Sequence, residues 1–207
     1  AWGRRFESAL RYHFIITVIK KKLQKIFKNF FYGVFLKIYG KIEKSIDCDG
    51  DNRIKVKVVN TEEDLRYRVY NIFYARLYTD RVHDVAVMLD NKIIEEPSFQ
   101  LRYTYDSKIY NSKVEDNIVF KKGTPRKLRN LNGTVLSLLT GGGGNNNYWH
   151  WLFDVLPRLG LCSNTISLGE IDYFLLPDDI KKFQNETLDC LNISKHRRLS
   201  SVKFRHI

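Results

Sequence analysis

The stretch "TGGGGNNNYWHWLFDVLPRLG", from Thr140 to Gly160, contains the residue types and the spacing best suited to chemistry in this 207-residue chain. His150 and Asp154 stand four positions apart, a spacing that places two side chains on one face of a helix. An imidazole beside a carboxylate can take a proton from a hydroxyl group, one residue acting as base while the other orients it. We therefore predict that His150 and Asp154 are catalytic, with either one as the base.

A helical wheel of about 100° per residue places Asn147, His150, Trp151, Asp154 and Arg158 on one stripe. The opposite arc is apolar, which predicts a buried face made of Tyr148, Trp149, Leu152, Phe153, Val155, Leu156 and Leu159. The stripe has a second interpretation, the solvent face of an ordinary amphipathic helix on which Asp154 forms an ion pair with Arg158.

The glycine run before this helix matches neither of the two common phosphate-binding patterns. No Lys followed by Ser or Thr stands where a P-loop requires it, and Asn147 replaces the last glycine of a dinucleotide-binding turn. Gly143 and Gly144 can still let the backbone turn sharply, so that N–H groups at the helix start reach an anionic or hydroxyl group. We predict that both glycines contact substrate.

A metal site is not predicted. His150 and Asp154 have the spacing of two ligands on one helix face, but the Glu of the HExxH zinc motif is absent and no third ligand is marked. The three cysteines are far apart and form no CxxC motif, which argues against a zinc knuckle and a disulfide framework. We expect no metal cofactor, and a metal-dependent hydrolase is the weakest of the functional alternatives.

Strand and helix patterns alternate around this stretch from Leu131 onward. Apolar segments predict strands at Gly133–Thr140, Ile171–Pro177 and Ser201–Ile207, and a helix is predicted at Asp178–Ile193. This alternation is typical of βαβ units and predicts an α/β fold with a Rossmann-like parallel sheet. The glycine run then follows the carboxyl end of a buried strand, where open α/β sheets bind their ligands.

A β-rich lead-in is predicted before this region. Alternating or apolar segments indicate strands at Arg53–Val59, Val69–Tyr78 and Asp84–Asp90, and a short strand at Asn117–Phe120. The segment that begins at Asp90 and Asn91 predicts a turn into a further strand.

The formal net charge of +12 is concentrated at the N-terminal end, where eleven Lys or Arg and two Glu lie between Arg4 and Lys44. The rest of the chain is nearly balanced, which argues against a nucleic-acid partner. The apolar runs Phe14–Ile19 and Phe30–Leu36 are separated by lysines, so neither approaches the roughly 20 apolar residues of a membrane span. We predict that residues 1–45 form a basic amphipathic helical arm, which either packs on the domain or lies on an anionic membrane surface.

The run from Leu139 to Leu161, followed by "IDYFLLPDDIKKFQNETLDCLNI", resembles the N-terminal part of the glycosyltransferase family 61 domain, which includes proteins of capsular polysaccharide biosynthesis. The resemblance covers about Asn117 to Ile207 and lies in Asn147, His150, Trp151, Asp154, Pro157 and Arg158, then in the "DYFLLP" strand and the helix after it. The family is similar to inverting, nucleotide-sugar-dependent transferases of the two-domain GT-B type. The resemblance implies that residues 46–207 are an N-terminal Rossmann-like domain, truncated before the domain that mainly holds the donor.

The resemblance also implies the partners and the residue roles. A nucleotide-sugar would be the co-substrate in place of a cofactor, a glycan would be the acceptor, and the protein would work at the cytoplasmic, inner face of a membrane. His150 or Asp154 would be the base, Asn147 would hold an acceptor hydroxyl, Trp151 would offer a ring face to a sugar, and Arg158 would reach the phosphate side. The alternative is a non-catalytic carbohydrate-binding or scaffold module.

Overall fold

A computed structural model of the chain describes residues 2–46, 48, 50–60, 66–141, 147–177 and 180–207, with side chains from position 18 onward except at position 60. Three sheets organise the described chain: one parallel, one mixed and one two-stranded hairpin. The fold is therefore mixed α/β with parallel strand pairs, which confirms the fold class at that level. The finer Rossmann-like and GT-B architectures stay predictions.

The parallel sheet has the order β10-β9-β8 and is formed by β8 (Val135–Ser137), β9 (Tyr173–Leu176) and β10 (Arg198–Ser200). Helical segments connect β8 to β9 and β9 to β10; the second of these contains a helix over Lys182–Cys190. The central strand β9 is almost completely buried, as expected for a parallel strand that is covered on both faces. The predicted alternation of strand and helix is confirmed in this part of the chain.

The third predicted strand was placed too late in the sequence. β10 ends at Ser200, and the following residues turn away from the parallel sheet. His206 instead forms an antiparallel bridge with Tyr78, and Ile207 exchanges two backbone hydrogen bonds with Leu77, at 2.8 and 3.0 Å. The prediction over Ser201–Ile207 was wrong because this segment pairs with the mixed sheet, a long-range contact that local pattern does not encode.

The mixed sheet has the order β1-β6-β5-β4, and β7 pairs with the far part of β6. Its strands are β1 (Lys44–Ile46), β4 (Arg76–Thr79), β5 (Asp84–Leu89), β6 (Lys92–Tyr103) and β7 (Ile109–Asn111). Asp90 and Asn91 adopt positive φ angles of 47° and 60° and join β5 to β6 in a two-residue hairpin. The predicted strand at Asp84–Asp90 and the turn after it are confirmed.

The remaining strands form an antiparallel hairpin of β2 (Ile54–Asn60) and β3 (Arg66–Ile72). β2 confirms the strand predicted at Arg53–Val59. The single strand predicted over Val69–Tyr78 was wrong, because the chain turns after Ile72 and Tyr74 adopts a left-handed φ of 58°. This turn separates β3 from β4.

The short strand predicted at Asn117–Phe120 was also wrong, since this segment begins helix α2 (Ile118–Lys122). The side chain of Asn117 caps the helix by accepting from the Val119 N–H at 3.3 Å. Its amide group donates to the Val85 carbonyl at 3.2 Å, so the cap is also tied to the mixed sheet. The cap formed by Asn117 therefore stabilises a helix where the sequence pattern predicted a strand.

The N-terminal arm is one helix, α1 (Trp2–Tyr39), whose last turn contacts the rest of the chain. The Tyr39 hydroxyl accepts a hydrogen bond from the Leu128 N–H at 2.8 Å, and its ring lies edge-on to the His206 ring at 4.9 Å. Every residue from 19 to 30 is exposed to solvent. No helix in the described part of the chain has a segment that is both apolar enough and long enough to cross a membrane.

Candidate functional site

The candidate site lies after the carboxyl end of β8, on a helical segment that we call the site helix. The site helix consists of α3 (Tyr148–His150), a π-helical turn (Trp151–Val155) and α4 (Leu156–Ser163). The predicted substrate contacts Gly143 and Gly144 lie outside the described residues.

The start of the glycine run is fixed by close approach to the mixed sheet. Gly141 has a φ of +85°, and a β-carbon there would lie 2.5 Å from the Leu101 Cδ1 and 3.2 Å from the Val82 carbonyl oxygen. Both the backbone angle and the lack of space require glycine at this position. The chain thus leaves β8 pressed against the loop that follows β4.

His150 and Asp154 meet as their spacing predicts. The His150 Nδ1 lies 2.5 Å from the Asp154 Oδ2, and both side chains are partly exposed to solvent. A carboxylate at Nδ1 holds the proton on that nitrogen and leaves Nε2 as the proton-accepting atom. No described residue is hydrogen-bonded to Nε2. The pair therefore has the geometry of an oriented general base.

Pro157 explains why the site helix contains a π-helical turn. Pro157 lies inside the site helix, which continues past it to Ser163. A proline ring lacks an N–H and collides with the carbonyl four residues earlier, here that of Phe153. The Leu156 N–H donates to the Trp151 carbonyl, five residues back, and this wider turn makes room for the ring.

The structure reverses which of the two tryptophans is buried, and this overturns the predicted role of Trp151. Trp151 is 0% exposed and lies in the core against Phe183, so it cannot offer a ring face to a sugar. Tyr148, Trp149 and Phe153, which the helical wheel placed on the buried face, are 57%, 65% and 57% exposed, so that prediction was wrong for all three. The rings of Trp149 and Phe153 contact each other at 4.3 Å between centroids. This pair of exposed rings lies immediately beside His150 and Asp154 in sequence.

Asn147 caps the site helix. Its side-chain oxygen accepts a hydrogen bond from the Trp149 N–H at 2.9 Å, the usual role of asparagine at this position. The cap leaves the amide NH₂ group as the part of Asn147 that can donate to a ligand. If Asn147 contacts an acceptor hydroxyl, as predicted, its NH₂ group is therefore the donor and the hydroxyl oxygen is the acceptor.

Arg158 does not form the ion pair with Asp154 that was its alternative interpretation. Its Nη1 donates to the Leu139 carbonyl at 3.0 Å, and its Nε donates to the Asp154 backbone carbonyl at 3.2 Å. Although much of the residue is exposed, the crowding of its guanidinium by protein lowers the pKa of Arg158 from its ordinary value. Through these hydrogen bonds Arg158 connects the site helix to the segment that follows β8. The contact of Arg158 with a phosphate group stays a prediction.

No family model, curated protein sequence or solved structure matches the chain. Among the described residues, no group of three or more His, Cys, Asp or Glu side chains is placed to hold a metal ion. The case for function therefore depends on the geometry of the site and on the resemblance of its residues to the family named above.

Sequence reasoning missed the exposed pair of Trp149 and Phe153. Trp149 precedes the π-helical turn, so the turn does not account for the exposure of this side chain. The wheel placed the apolar residues other than Trp151 on one wide buried face. The side chains that are buried instead follow a narrower stripe of Trp151, Val155 and Leu159, spaced four residues apart.

Proposed function

We propose that the protein transfers a sugar from a nucleotide-sugar donor to a hydroxyl group of a glycan acceptor, with inversion at the anomeric carbon. The acceptor oxygen attacks that carbon and passes its proton to the His150 Nε2. The bond from the anomeric carbon to the diphosphate oxygen breaks, and its electron pair leaves with the nucleoside diphosphate. Asp154 holds the imidazole and stabilises the imidazolium that forms.

The observation that carries this proposal is the 2.5 Å contact of His150 with Asp154 on an exposed face after a parallel strand. A histidine and a carboxylate that served only packing would be buried or paired with cations, whereas this pair faces solvent. The carboxyl end of parallel strands is also where such sheets place their ligands. The family resemblance supplies the reaction class.

The aromatic pair of Trp149 and Phe153 supports a sugar substrate. Apolar faces of pyranose rings stack on exposed aromatic rings, which hold them without ordering many side-chain torsions. Because both rings are adjacent in sequence to His150 and Asp154, a sugar bound there lies near the base. The role assigned to Trp151 from the sequence is therefore transferred to Trp149 and Phe153.

The same aromatic pair favours the second candidate, a carbohydrate-binding module without catalysis. Such a module needs the stacking surface but has no use for an oriented base. The two functions differ in one measurable product, the nucleoside diphosphate that only a transferase releases.

The test is to incubate the protein with a panel of nucleotide-sugars and glycan acceptors, and to measure nucleoside diphosphate release and the anomeric configuration of the product. A transferase is expected to release diphosphate in an acceptor-dependent manner and to give the inverted anomer. Acceptor binding without diphosphate release from any donor would favour the binding module instead.

We further propose that α1 holds the protein on an anionic membrane surface. Between positions 19 and 30, its exposed apolar residues fall within an arc of about 100° on the helical wheel; they are Ile19, Leu23, Ile26, Phe27 and Phe30. The lysines occupy the rest of the circle; they are Lys20, Lys21, Lys22, Lys25 and Lys28. An apolar stripe flanked by lysines is typical of helices that lie in the headgroup region of anionic bilayers.

Replacing Phe27 and Phe30 together by Gln is expected to weaken binding to vesicles of phosphatidylcholine with phosphatidylserine about 10-fold or more, because two apolar rings lose their burial in lipid. The matched control replaces Tyr74 and Tyr105, two highly exposed aromatic residues in turns between strands, by Gln. Co-sedimentation with vesicles measures both. Equal binding by the wild type and the Phe27/Phe30 variant would contradict the proposal.

A further inference from the structure

His206 is a fully buried histidine that the proposed reaction does not use. It lies in residues 205–207, which we call the returning segment because they pair with β4. The Thr79 N–H donates to the Arg205 carbonyl at 2.9 Å, and on the other side the Arg129 N–H donates to the His206 carbonyl at 2.9 Å. The returning segment is therefore held by backbone hydrogen bonds from two parts of the chain.

The two ring nitrogens of His206 have different surroundings. Nδ1 lies 2.9 Å from the Arg126 carbonyl oxygen, and because a carbonyl only accepts, Nδ1 carries the proton of the neutral ring. Nε2 is buried and has no hydrogen-bond partner among the described residues. A second proton on Nε2 would create a buried N–H group and a positive charge without an acceptor, which is costly.

The His206 ring is packed between the N-terminal arm and the mixed sheet. The Tyr39 ring of α1 lies edge-on to it at 4.9 Å between centroids, and the Tyr78 ring of β4 at 6.1 Å. Tyr39 also stacks on Phe35, one turn earlier in α1, at 5.7 Å. The imidazole thus forms one wall of the contact that holds the last turn of α1.

The Tyr39 ring also carries a positively charged neighbour, Arg76, whose Cζ lies 5.9 Å from the ring centroid. The Arg76 guanidinium donates to the Asn91 Oδ1 at 2.7 Å and to the Thr124 Oγ1 at 3.4 Å, and both partners are neutral. A protonated His206 would therefore lie on the same aromatic ring as a second cation, and no neighbouring acid offsets the two charges.

The groups around the imidazole are neutral or cationic; they are Tyr39 from α1, Tyr78 and Arg76 from β4, and Arg126 from the segment after α2. Within the described part of the chain, no carboxylate is hydrogen-bonded to the ring. Burial mainly, and the charge of Arg76 in addition, lower the pKa of His206 to about 4, although the Arg126 carbonyl acts in the opposite direction. Burial also raises the pKa of Tyr78 to about 12, so Tyr78 stays neutral.

We propose that His206 is an acid-sensitive latch, which at neutral pH holds the returning segment on β4 and the last turn of α1 on the body of the protein. The uncharged ring can stay buried between the two tyrosines. A protonated ring moves into solvent, and its departure separates the returning segment from β4 and removes one wall of the Tyr39 contact. The inference is independent of sugar transfer, because it concerns how the arm and the body are held together.

The direction of the pH dependence follows from the two protonation equilibria. The folded pKa of about 4 lies below the ordinary value of 6.5, so the latched state favours the neutral ring. The stabilisation is complete above about pH 6.5 and is lost as the pH falls towards 4. We expect the equilibrium constant for release to rise about 10-fold or more between pH 7.5 and pH 5.0.

Hydrogen–deuterium exchange of the full chain, corrected for the intrinsic pH dependence of exchange, tests the latch. The reporters are the Leu77 and Thr79 N–H groups, which donate to the carbonyls of Ile207 and Arg205. Their protection is expected to fall about 10-fold or more between pH 7.5 and pH 5.0. Far-ultraviolet circular dichroism should stay unchanged over this range, because the release is local.

His206→Phe keeps an aromatic ring that cannot be charged, and its protection at Leu77 and Thr79 should change less than about 2-fold between the two pH values. The matched control His196→Phe removes an exposed histidine and should keep the wild-type response. Equal protection of the wild type at both pH values, or the same loss in His206→Phe, would overturn the latch.

A titration of the wild-type histidine rings by NMR keeps the proposal testable if His206→Phe does not fold. The His206 ring is expected to stay neutral at pH 5.5 while the exposed His196 ring becomes protonated. Protonation of His206 near pH 6.5 with full protection of Leu77 and Thr79 would show that the charge does not release the segment, and it would overturn the proposal.

Discussion

Substitution of His150 by Ala is expected to lower kcat/KM for sugar transfer about 100-fold or more, because a positioned general base contributes roughly that factor at the low end of its range. The imidazole Nε2 is the atom that takes the acceptor proton in the proposed reaction, and Ala supplies no replacement. Fold stability should change little, since the His150 side chain is partly exposed and its hydrogen-bond partner Asp154 is also partly exposed. The measurement is the initial rate of nucleoside diphosphate release with acceptor present.

The matched control for this prediction is His196→Ala. His196 is an exposed histidine in the short 3-10 helix Lys195–Arg197, and its ring hydrogen-bonds with the Ser194 hydroxyl at 3.4 Å. We expect its rate to stay within about 2-fold of the wild type. Full activity in His150→Ala, or an equal loss in both variants, would argue that His150 is not the base.

The second large effect concerns stability. Trp151→Ala is expected to lower the free energy of unfolding by about 3–5 kcal/mol, the usual cost of removing a large buried aromatic side chain. Trp151 is fully buried in the cluster between the site helix and the parallel sheet, and its indole N–H donates to the Thr187 hydroxyl at 3.4 Å. Urea unfolding followed by circular dichroism measures the change.

Trp149→Ala provides a control with identical chemistry two residues away. Because Trp149 is 65% exposed, its removal should cost less than about 1 kcal/mol. The comparison separates the described orientation of the site helix from that of the helical wheel, which places Trp149 on the buried face and Trp151 on the exposed one. A larger loss of stability in Trp149→Ala than in Trp151→Ala would contradict the described register.

Local spacing was sufficient for part of the fold and part of the site. The i, i+4 separation of His150 and Asp154 predicts their contact, because it uses only one turn of helix. The β5-β6 hairpin followed from alternating hydrophobicity and the Asp90-Asn91 turn, which are also local signals. Such features depend on residues that are neighbours in sequence, so one amino-acid sequence is enough to predict them.

The remaining features depend on contacts or distortions that no local pattern contains. The π-helical turn at Trp151–Val155 rotates the following side chains, and the wheel assumed a regular helix. The pairing of His206 with Tyr78 joins residues that are far apart in sequence. The exposed rings and this long-range pairing were therefore visible only once the backbone was known.

The central claim is that His150 and Asp154 work as one catalytic unit, and a double-mutant cycle in the sugar-transfer assay tests it most directly. The cycle compares the wild type, His150→Ala, Asp154→Ala and the double variant. Groups that act as a unit give strongly non-additive losses. We predict that the double variant is within about 3-fold of His150→Ala. Losses that multiply, or single variants with wild-type rates, would contradict the account.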